Sequence, residues 1–133
     1  MNTVHLFISH SWTYAAEYER FISLLDGRGH FAFKNYSVPK NDPIHNAPNQ
    51  AALREAIAKQ IRPAQVVVIL AGVYSTHSKW ITKEIELAKA MGKPIIGVEP
   101  YGADRASTVV QDNATRMVKW NADSIVSAIR EVL

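Results

Sequence analysis

Short apolar segments alternate along the chain with segments whose apolar residues recur every three or four positions. Val4 to Ile8 is a short run rich in residues that favour strands, so it predicts a first strand. Thr13 can cap a following helix, and Gly27 and Gly29 are expected to end it. Phe31 to Tyr36 then predicts a second strand. The apolar face of the first helix is expected to contain Tyr14, Tyr18, Phe21, Ile22 and Leu25.

The same alternation continues through the rest of the chain. The Pro-, Asn- and Asp-rich residues 37–48 predict a long loop, and a helix begins at about Pro48 and ends at Pro63. Gln65 to Leu70 is apolar without alternation, which is typical of a central parallel strand with both faces covered. A helix from Ser78 to Met91 is expected next. The remaining predicted elements are a strand at Ile95 to Val98, a weak helix at Ser107 to Asn113, a strand at Arg116 to Lys119 and a final helix with Ile125, Ala128, Ile129 and Val132 on its apolar face.

Strand followed by helix five times predicts an α/β fold with a doubly wound, five-stranded, mostly parallel sheet and helices on both faces. We expect the flavodoxin-like strand order 2-1-3-4-5 in a single domain over residues 1–133. In such sheets, ligands bind beyond the carboxyl ends of the strands where the winding direction reverses, here between the first and third strands. This rule selects two loops, Ser9 to Thr13 and Ala71 to Ser78, as candidate parts of a binding site.

Composition narrows the classes of function. The net charge is +3, but fifteen Lys and Arg are interleaved with twelve acids, so we expect no basic stripe and no nucleic-acid partner. The absence of cysteine excludes disulfides and thiolate chemistry and fits a cytoplasmic protein. The longest apolar run, Val66 to Val73, is far shorter than the ~20 residues of a membrane helix, so no membrane association is expected. The five histidines show no paired spacing, so no metal site is expected either.

One acidic residue stands within an apolar helix face. On a helical wheel of Ser78 to Met91, Glu84 falls inside the apolar face, whereas Thr82, Glu86 and Lys89 lie opposite. An unpaired buried charge is costly, so this position requires an explanation, which a structural ion pair or the helix dipole could supply. Glu84 also lies near the amino end of its helix, the end that faces the carboxyl edge of the sheet and the expected ligand crevice. The apolar members of the face are Trp80, Ile81, Ile85, Leu87, Ala88 and Met91.

Other residues near this crevice have both a binding and a purely structural interpretation. Trp80, one turn before Glu84, is either a large core residue or the wall of a pocket. Backbone amides around Ser9 to Ser11 would suit a diphosphate, although these serines can equally be turn and cap residues. Three further side chains could stack on a base or simply pack within the fold: His10, Trp12 and Tyr36.

Three strings of the sequence together resemble TIR domains, and more narrowly the small prokaryotic TIR-like proteins that include the sensor component of Thoeris antiphage defence. The strings are His5 to Ser11, Val66 to Leu70 and Ser78 to Ile85. The resemblance spans about residues 4–131, and its most specific elements are the first-strand string FISHS and the pair Trp80-x-x-x-Glu84. The five-stranded parallel sheet of TIR domains agrees with the fold that the hydrophobic pattern predicts.

By this resemblance, Glu84 corresponds to the catalytic glutamate of TIR domains that cleave NAD, and Ser37 to His45 corresponds to the so-called BB loop. NAD is then a substrate, and no separate cofactor is expected. Cleavage would release nicotinamide and give ADP-ribose, or a cyclic or conjugated signal that a downstream effector protein senses. The resemblance also implies homo-oligomers formed through TIR–TIR contacts. The residues expected to bind the substrate are Ser9, His10, Ser11, Trp12, Tyr36, Ser37 and Trp80.

Two other functions remain open from the sequence. A nucleoside deoxyribosyltransferase-like enzyme also combines this architecture with an active-site glutamate and cleaves N-glycosidic bonds. A non-catalytic TIR-like module would act by homotypic assembly through residues 37–45, although it would not need Glu84 in an apolar face. Receiver-like and flavin-binding proteins share the fold but are not favoured. The first strand ends in Ser9-His10 rather than in an acidic pair, and the loop that follows has no glycine.

Overall fold

A computed structural model describes five stretches of the chain, residues 3–9, 15–36, 50–70, 79–99 and 108–133. Within them, strands and helices alternate as predicted. The strands are β1 (Val4–Ser9), β2 (Phe33–Asn35), β3 (Val66–Leu70), β4 (Ile95–Val98) and β5 (Arg116–Val118). The helices are α1 (Ala15–Arg28), α2 (Gln50–Ile61), α3 (Lys79–Ala90), α4 (Thr108–Asn113) and α5 (Ala122–Val132). In these stretches, no helix is long and apolar enough to cross a membrane.

The strands form one parallel sheet in the order β2-β1-β3-β4-β5, which confirms the predicted flavodoxin-like order. The chain passes from β1 to its neighbour β2 and then crosses back to place β3 on the other side of β1. The winding direction therefore reverses between β1 and β3, which are paired from Leu6 with Val66 to Ser9 with Ile69. Ligands of doubly wound sheets bind beyond the carboxyl ends of strands at such a reversal.

The side chains of the strands alternate between two apolar clusters, one on each face of the sheet. In β1, Leu6 and Ile8 belong to the cluster that also contains residues of α1 and α5. Phe7 belongs to the cluster formed with α2, α3 and α4. β3 is buried along its whole length because helices cover both faces, which explains its uninterrupted apolar sequence. The same alternation assigns Ser9 to the face of Phe7, the face that α3 covers.

The first helix ends at the second of the two glycines that were expected to stop it. α1 continues through Gly27 and ends at Arg28, directly before Gly29, so the prediction is confirmed for Gly29 and wrong for Gly27. A glycine inside a helix costs only about 1 kcal/mol, which the buried face of α1 offsets. The turn is instead made by Gly29 and His30, whose φ angles are 71° and 56°. Arg130 Nη2 donates to the His30 carbonyl at 3.0 Å and thereby holds this uncommon backbone conformation against α5.

The two edge strands are shorter than predicted. β2 covers residues 33–35 rather than 31–36, and β5 ends at Val118 rather than at Lys119. An edge strand pairs on one side only, so its regular ladder ends as soon as the chain turns away from its single neighbour. Backbone hydrogen bonds still join the flanking residues to β1: Val4 N–H donates to the Ala32 carbonyl at 2.9 Å, and Tyr36 N–H donates to the Leu6 carbonyl at 2.8 Å.

Gly97 provides a test of the packing on the α3 face of the sheet. It pairs with Ile69 on one side and with Met117 on the other. A Cβ atom at this position would overlap Met117 Sδ and would lie 2.9 Å from Val110 Cγ1. We therefore expect Gly97→Ala to lower the free energy of unfolding by about 1–3 kcal/mol, as overpacking of a core does. Urea denaturation of the variant and of the wild type measures this difference.

Gly27→Ala is the matched control for this substitution. A Cβ at Gly27 would meet no atom within 4 Å, and alanine favours a helix more than glycine does. The control variant should therefore be as stable as the wild type or more stable by up to about 1 kcal/mol. Wild-type stability in Gly97→Ala would contradict the close packing of Gly97 against Val110 and Met117.

Candidate active site

Ser9 is the last residue of β1 and lies at the carboxyl edge of the sheet, beside Ile69 of β3. Its side chain shares the sheet face of Phe7, which α2 and α3 cover. Ser9 is only 1% exposed. A hydroxyl group that is buried this completely requires a hydrogen-bond partner within the protein. That partner is contributed by α3.

Glu84 lies in the second turn of α3 and is 5% exposed. Because α3 follows β3, its amino end begins near the carboxyl edge of the sheet, and its second turn lies at the level of the end of β1. The buried residues of the helix are Glu84, Ile85, Leu87 and Ala88. The exposed residues include Thr82, Glu86 and Lys89. The predicted distribution of these residues between the two helix faces is therefore confirmed.

A hydrogen bond joins the two residues: Ser9 Oγ donates to Glu84 Oε2. The partners are 75 positions apart in the sequence, and the fold alone brings them together. Among the residues that the structure describes, Ser9 and Glu84 are the buried polar ones, and each is the partner of the other. The pair lies at the β1–β3 edge, where the winding of the sheet reverses. Its position is the one that the topology favours for a ligand.

The environment of Glu84 changes its protonation. Burial raises the pKa of Glu84 from 4.5 to about 8, because the ionised form loses its hydration. The hydrogen bond from Ser9 acts in the opposite direction and lowers the pKa, since it stabilises the carboxylate. Burial is the larger effect. At neutral pH, the carboxyl group of Glu84 is therefore mostly protonated in the ligand-free protein.

The structure does not bring the Tyr36 hydroxyl to this pair. Tyr36 follows β2, and its hydroxyl lies 2.8 Å from Nδ1 of His5, with the two rings stacked at a centroid distance of 5.5 Å. The ammonium group of Lys34 lies 5.1 Å from the centre of the Tyr36 ring. His5 precedes Ser9 by four residues, which is about 13 Å along a strand. The hydroxyl of Tyr36 is therefore hydrogen-bonded to His5 and lies far from Glu84.

The other predicted binding residues lie wholly or partly outside the description. His10, Ser11, Trp12 and Ser37 fall outside the described residues, as do the loops 10–14 and 71–78 that follow β1 and β3. Trp80 lies in α3 one turn before Glu84, but its side chain is not among those described. The predicted contacts of these five residues with a substrate remain predictions.

The pairing of Ser9 with Glu84 does not follow from any motif spacing in the sequence. The alternation of β1 nevertheless contains a signal, because Phe7 and Ser9 share a face and Phe7 must face the core. A polar residue at the end of that face needs a polar partner from a covering helix, and Glu84 is the buried acid of α3. The contact between His5 of β1 and Tyr36, which directly follows β2, was likewise not predicted.

A groove of about 520 Å³ opens elsewhere on the described part of the molecule, between α1 and β2. It is lined by Glu19, Ile22, Ser23, Asp26, Phe33 and Asn35. Ile22 and Phe33 pack against the cluster that contains α1 and α5, so the groove and Glu84 are on opposite faces of the sheet. The groove is therefore separate from the Ser9–Glu84 pair. Among the described residues, no group of three acidic or histidine side chains is placed to hold a metal ion.

A family model described as "Thoeris protein ThsB, TIR-like domain" matches residues 7–105, a range that contains both Ser9 and Glu84. No curated protein matches the sequence.

Two solved structures illustrate the likeness of the fold. The Clostridium botulinum CMP N-glycosidase BcmB is similar with a TM-score of 0.53 and 17% identity, over 95% of this chain and 98% of that chain. A 3-dehydroquinate dehydratase-like protein from Bifidobacterium longum is similar with a TM-score of 0.55 and 10% identity, over 99% of this chain and 95% of that chain. At these identities, the likeness establishes the fold only.

The burial of Glu84 couples the stability of the protein to pH. Because its pKa is raised from 4.5 to about 8, the folded protein binds this proton more tightly than the unfolded chain does. The free energy of unfolding that this tighter proton binding contributes is fully present below about pH 4.5 and is lost as the pH rises to 8. Between pH 5 and pH 8, the wild type should lose about 3 kcal/mol relative to Glu84→Gln, whose side chain stays neutral. Urea denaturation of both proteins at the two pH values measures this difference.

Glu86→Gln is the control for this measurement, because Glu86 is an exposed acid of the same helix. Its stability should follow the pH dependence of the wild type. If wild type and Glu84→Gln instead lost stability in parallel between pH 5 and pH 8, the carboxyl group of Glu84 would not be held protonated by burial.

Proposed function

The chain belongs to the TIR-like domain family of Thoeris protein ThsB, and from this premise we propose that it is an enzyme that cleaves the bond between nicotinamide and ribose in NAD. The observation that carries the proposal is the buried carboxyl group of Glu84, hydrogen-bonded by Ser9 at the β1–β3 edge. A module that acted only by assembly would gain nothing from an acid in this layer, because burying it costs stability. A cost of this kind is characteristic of functional sites.

The proposed reaction needs one well-placed carboxylate and little else. The bond between C1′ of the ribose and the nicotinamide nitrogen breaks, and its electron pair neutralises the positive charge of the nicotinamide ring. The leaving group therefore needs no proton. The ribose develops an oxocarbenium-like positive charge, which the carboxylate of Glu84 stabilises. Water, or a hydroxyl group in a cyclising or conjugating reaction, then bonds to C1′ and loses its proton.

The protonation of Glu84 fits a site that becomes active when the substrate arrives. The free protein keeps the buried carboxyl group mostly neutral at pH 7, since the pKa of Glu84 is about 8. A cationic nicotinamide ring that binds nearby would stabilise the carboxylate and lower this pKa. The negative charge would thus form where a positive charge is already present. Such an arrangement limits the cost of an unpaired buried ion in the empty site.

The remaining elements of the proposal concern binding and signalling. We propose that Trp80 shapes the end of the site that holds nicotinamide and ribose, and that the backbone from Ser9 to Ser11 binds the diphosphate. The other proposed contacts are from His10, Trp12, Ser37 and the ring of Tyr36. The product would be ADP-ribose or a cyclic or conjugated derivative, sensed by an effector protein during antiphage defence in the cytoplasm. Homo-oligomers would form through residues 37–45.

A second candidate is an N-glycosidase for a nucleotide whose base is uncharged. The observation that favours it is the protonated state of Glu84 at neutral pH, because an uncharged base leaves more easily when an acid donates a proton to it. The likeness to the Clostridium botulinum CMP N-glycosidase makes CMP the natural substrate for comparison. In this case Glu84 would act as an acid rather than as a charged stabiliser. The two candidates predict opposite pH dependence.

Glu84→Gln tests the proposed chemistry directly. We expect nicotinamide release from NAD to fall about 100-fold or more in Glu84→Gln and Glu84→Ala, because the developing charge loses its stabilising carboxylate. Chromatography of the products formed by the purified protein measures this change, with the protein also assayed at concentrations that promote assembly. Glu86→Gln is the matched control, since Glu86 is exposed on the same helix, and it should retain wild-type activity. Equal activity in the two glutamine variants would contradict the proposal.

The pH dependence of kcat/KM separates the two candidate substrates. With NAD, the rate should rise with a midpoint near pH 8, because the ionised form of Glu84 is the active one. With CMP, the rate should fall as the pH rises through the same range, because the protonated form is required. Cleavage of CMP without cleavage of NAD, together with the falling profile, would replace the first candidate by the second.

A further inference from the structure

We propose that Ser9 is a positioning residue that acts through Glu84, and that its hydroxyl group does not bind the substrate itself. The inference rests on the proposed function of Glu84 and assigns the control of that residue to a specific contact. The distinction matters, because a serine at the end of β1 would otherwise be interpreted as a direct ligand of the substrate.

The hydroxyl group of Ser9 already has a hydrogen-bond partner within the protein. Ser9 Oγ donates its hydrogen atom to Glu84 Oε2, and a serine hydroxyl has one hydrogen atom to donate. Ser9 is also 1% exposed, so its side chain faces the protein interior rather than an open cleft. Donation to a substrate phosphate or sugar would require that the bond to Glu84 be broken. That loss would leave a buried carboxyl group without its partner.

The hydrogen bond from Ser9 determines the orientation of the Glu84 carboxyl group. Ser9 is the last residue of β1 and is paired with Ile69 of β3, so its position is set by the sheet. Glu84 has three side-chain torsions, and apart from Ser9 the described residues buried on this face of the sheet are apolar. A donor on a rigid strand therefore fixes one carboxylate oxygen. The other oxygen, Oε1, is left for the reacting sugar.

Charged groups near Glu84 are the other groups that could affect its ionisation. The titratable or charged side chains that the structure describes on the elements nearest to Glu84 are His5 on β1, Arg54, Glu55 and Lys59 on α2, and Lys83, Glu86 and Lys89 on α3. Arg54 and Glu86 form an ion pair of 3.8 Å at which both side chains are more than half exposed. The pKa shift of Glu84 has two causes, its burial and its hydrogen bond with Ser9. Ser9 is therefore the described side chain through which the carboxylate is stabilised.

The test compares Ser9→Ala with Ser9→Thr, which keeps a hydroxyl group. In Ser9→Ala, the midpoint of the rising pH profile for nicotinamide release should move upward by about one unit, so that activity below the midpoint falls about tenfold. Above the midpoint, where Glu84 is ionised in both proteins, KM and kcat should both approach those of the wild type. Ser9→Thr should restore the wild-type midpoint. Ser127→Ala is the control, because Ser127 is an exposed serine of α5, and it should leave the profile unchanged.

The opposite pattern would overturn the inference. If Ser9→Ala raised KM several-fold and left the pH midpoint in place, Ser9 would bind the substrate directly. If Ser9→Ala does not fold, Ser9→Cys takes its place, since a thiol is a weaker hydrogen-bond donor of similar size and should give a smaller upward shift of the midpoint.

A measurement without substrate separates this inference from the proposed function. The titration of the Glu84 carboxyl group, followed by carbon NMR in the ligand-free protein, should have its midpoint about one pH unit higher in Ser9→Ala than in the wild type. This result would support the role of Ser9 even if no nicotinamide were released. An unchanged carboxyl midpoint in Ser9→Ala would overturn that role even if NAD cleavage depended on Glu84.

Discussion

The hydrogen bond between Ser9 and Glu84 joins the carboxyl end of β1 to the second turn of α3 inside an apolar layer. A carboxyl group in such a layer is stable when it is protonated, paired or hydrogen-bonded, and Glu84 combines a retained proton with one hydrogen bond. Without Ser9, the buried carboxyl group would lose its described hydrogen-bond partner, and its burial would destabilise the folded state. Burial keeps the carboxyl group mostly neutral when the site is empty, and the hydrogen bond from Ser9 makes its ionisation beside a cation easier. The chemistry proposed for the site depends on this balance between burial and hydrogen bonding.

The fold makes this contact possible because of its topology. The reversal of winding places β1 and β3 side by side, and α3 then crosses the face of the sheet with its amino end at the carboxyl edge. The alternation of β1 directs Ser9 towards that helix, while the helical period directs Glu84 towards the sheet. Each residue thus follows from an ordinary rule of secondary structure, and their encounter is a consequence of the strand order.

The sequence was sufficient to predict the strand order and the burial of Glu84, because both depend on long, regular patterns of apolar residues. The uninterrupted run of β3 and the stripe of α3 are the clearest of these. It also predicted Gly29 as a stop of α1, but not the continuation of the helix through Gly27, where tertiary packing outweighed local glycine propensity. It also did not predict which polar groups pair. The contacts of Ser9 with Glu84 and of His5 with Tyr36 join different elements, and pairing across elements is not encoded in local spacing.

The most direct measurement of this account is the ionisation of the Glu84 carboxyl group at pH 7, observed by carbon NMR before and after binding of a non-cleavable analogue of NAD. The account predicts a mostly protonated group in the free protein, because burial raises its pKa to about 8, and a carboxylate in the complex, because the bound cationic ring stabilises it. A carboxyl group that is already ionised at pH 7 in the free protein, or one that stays protonated when the analogue is bound, would contradict it.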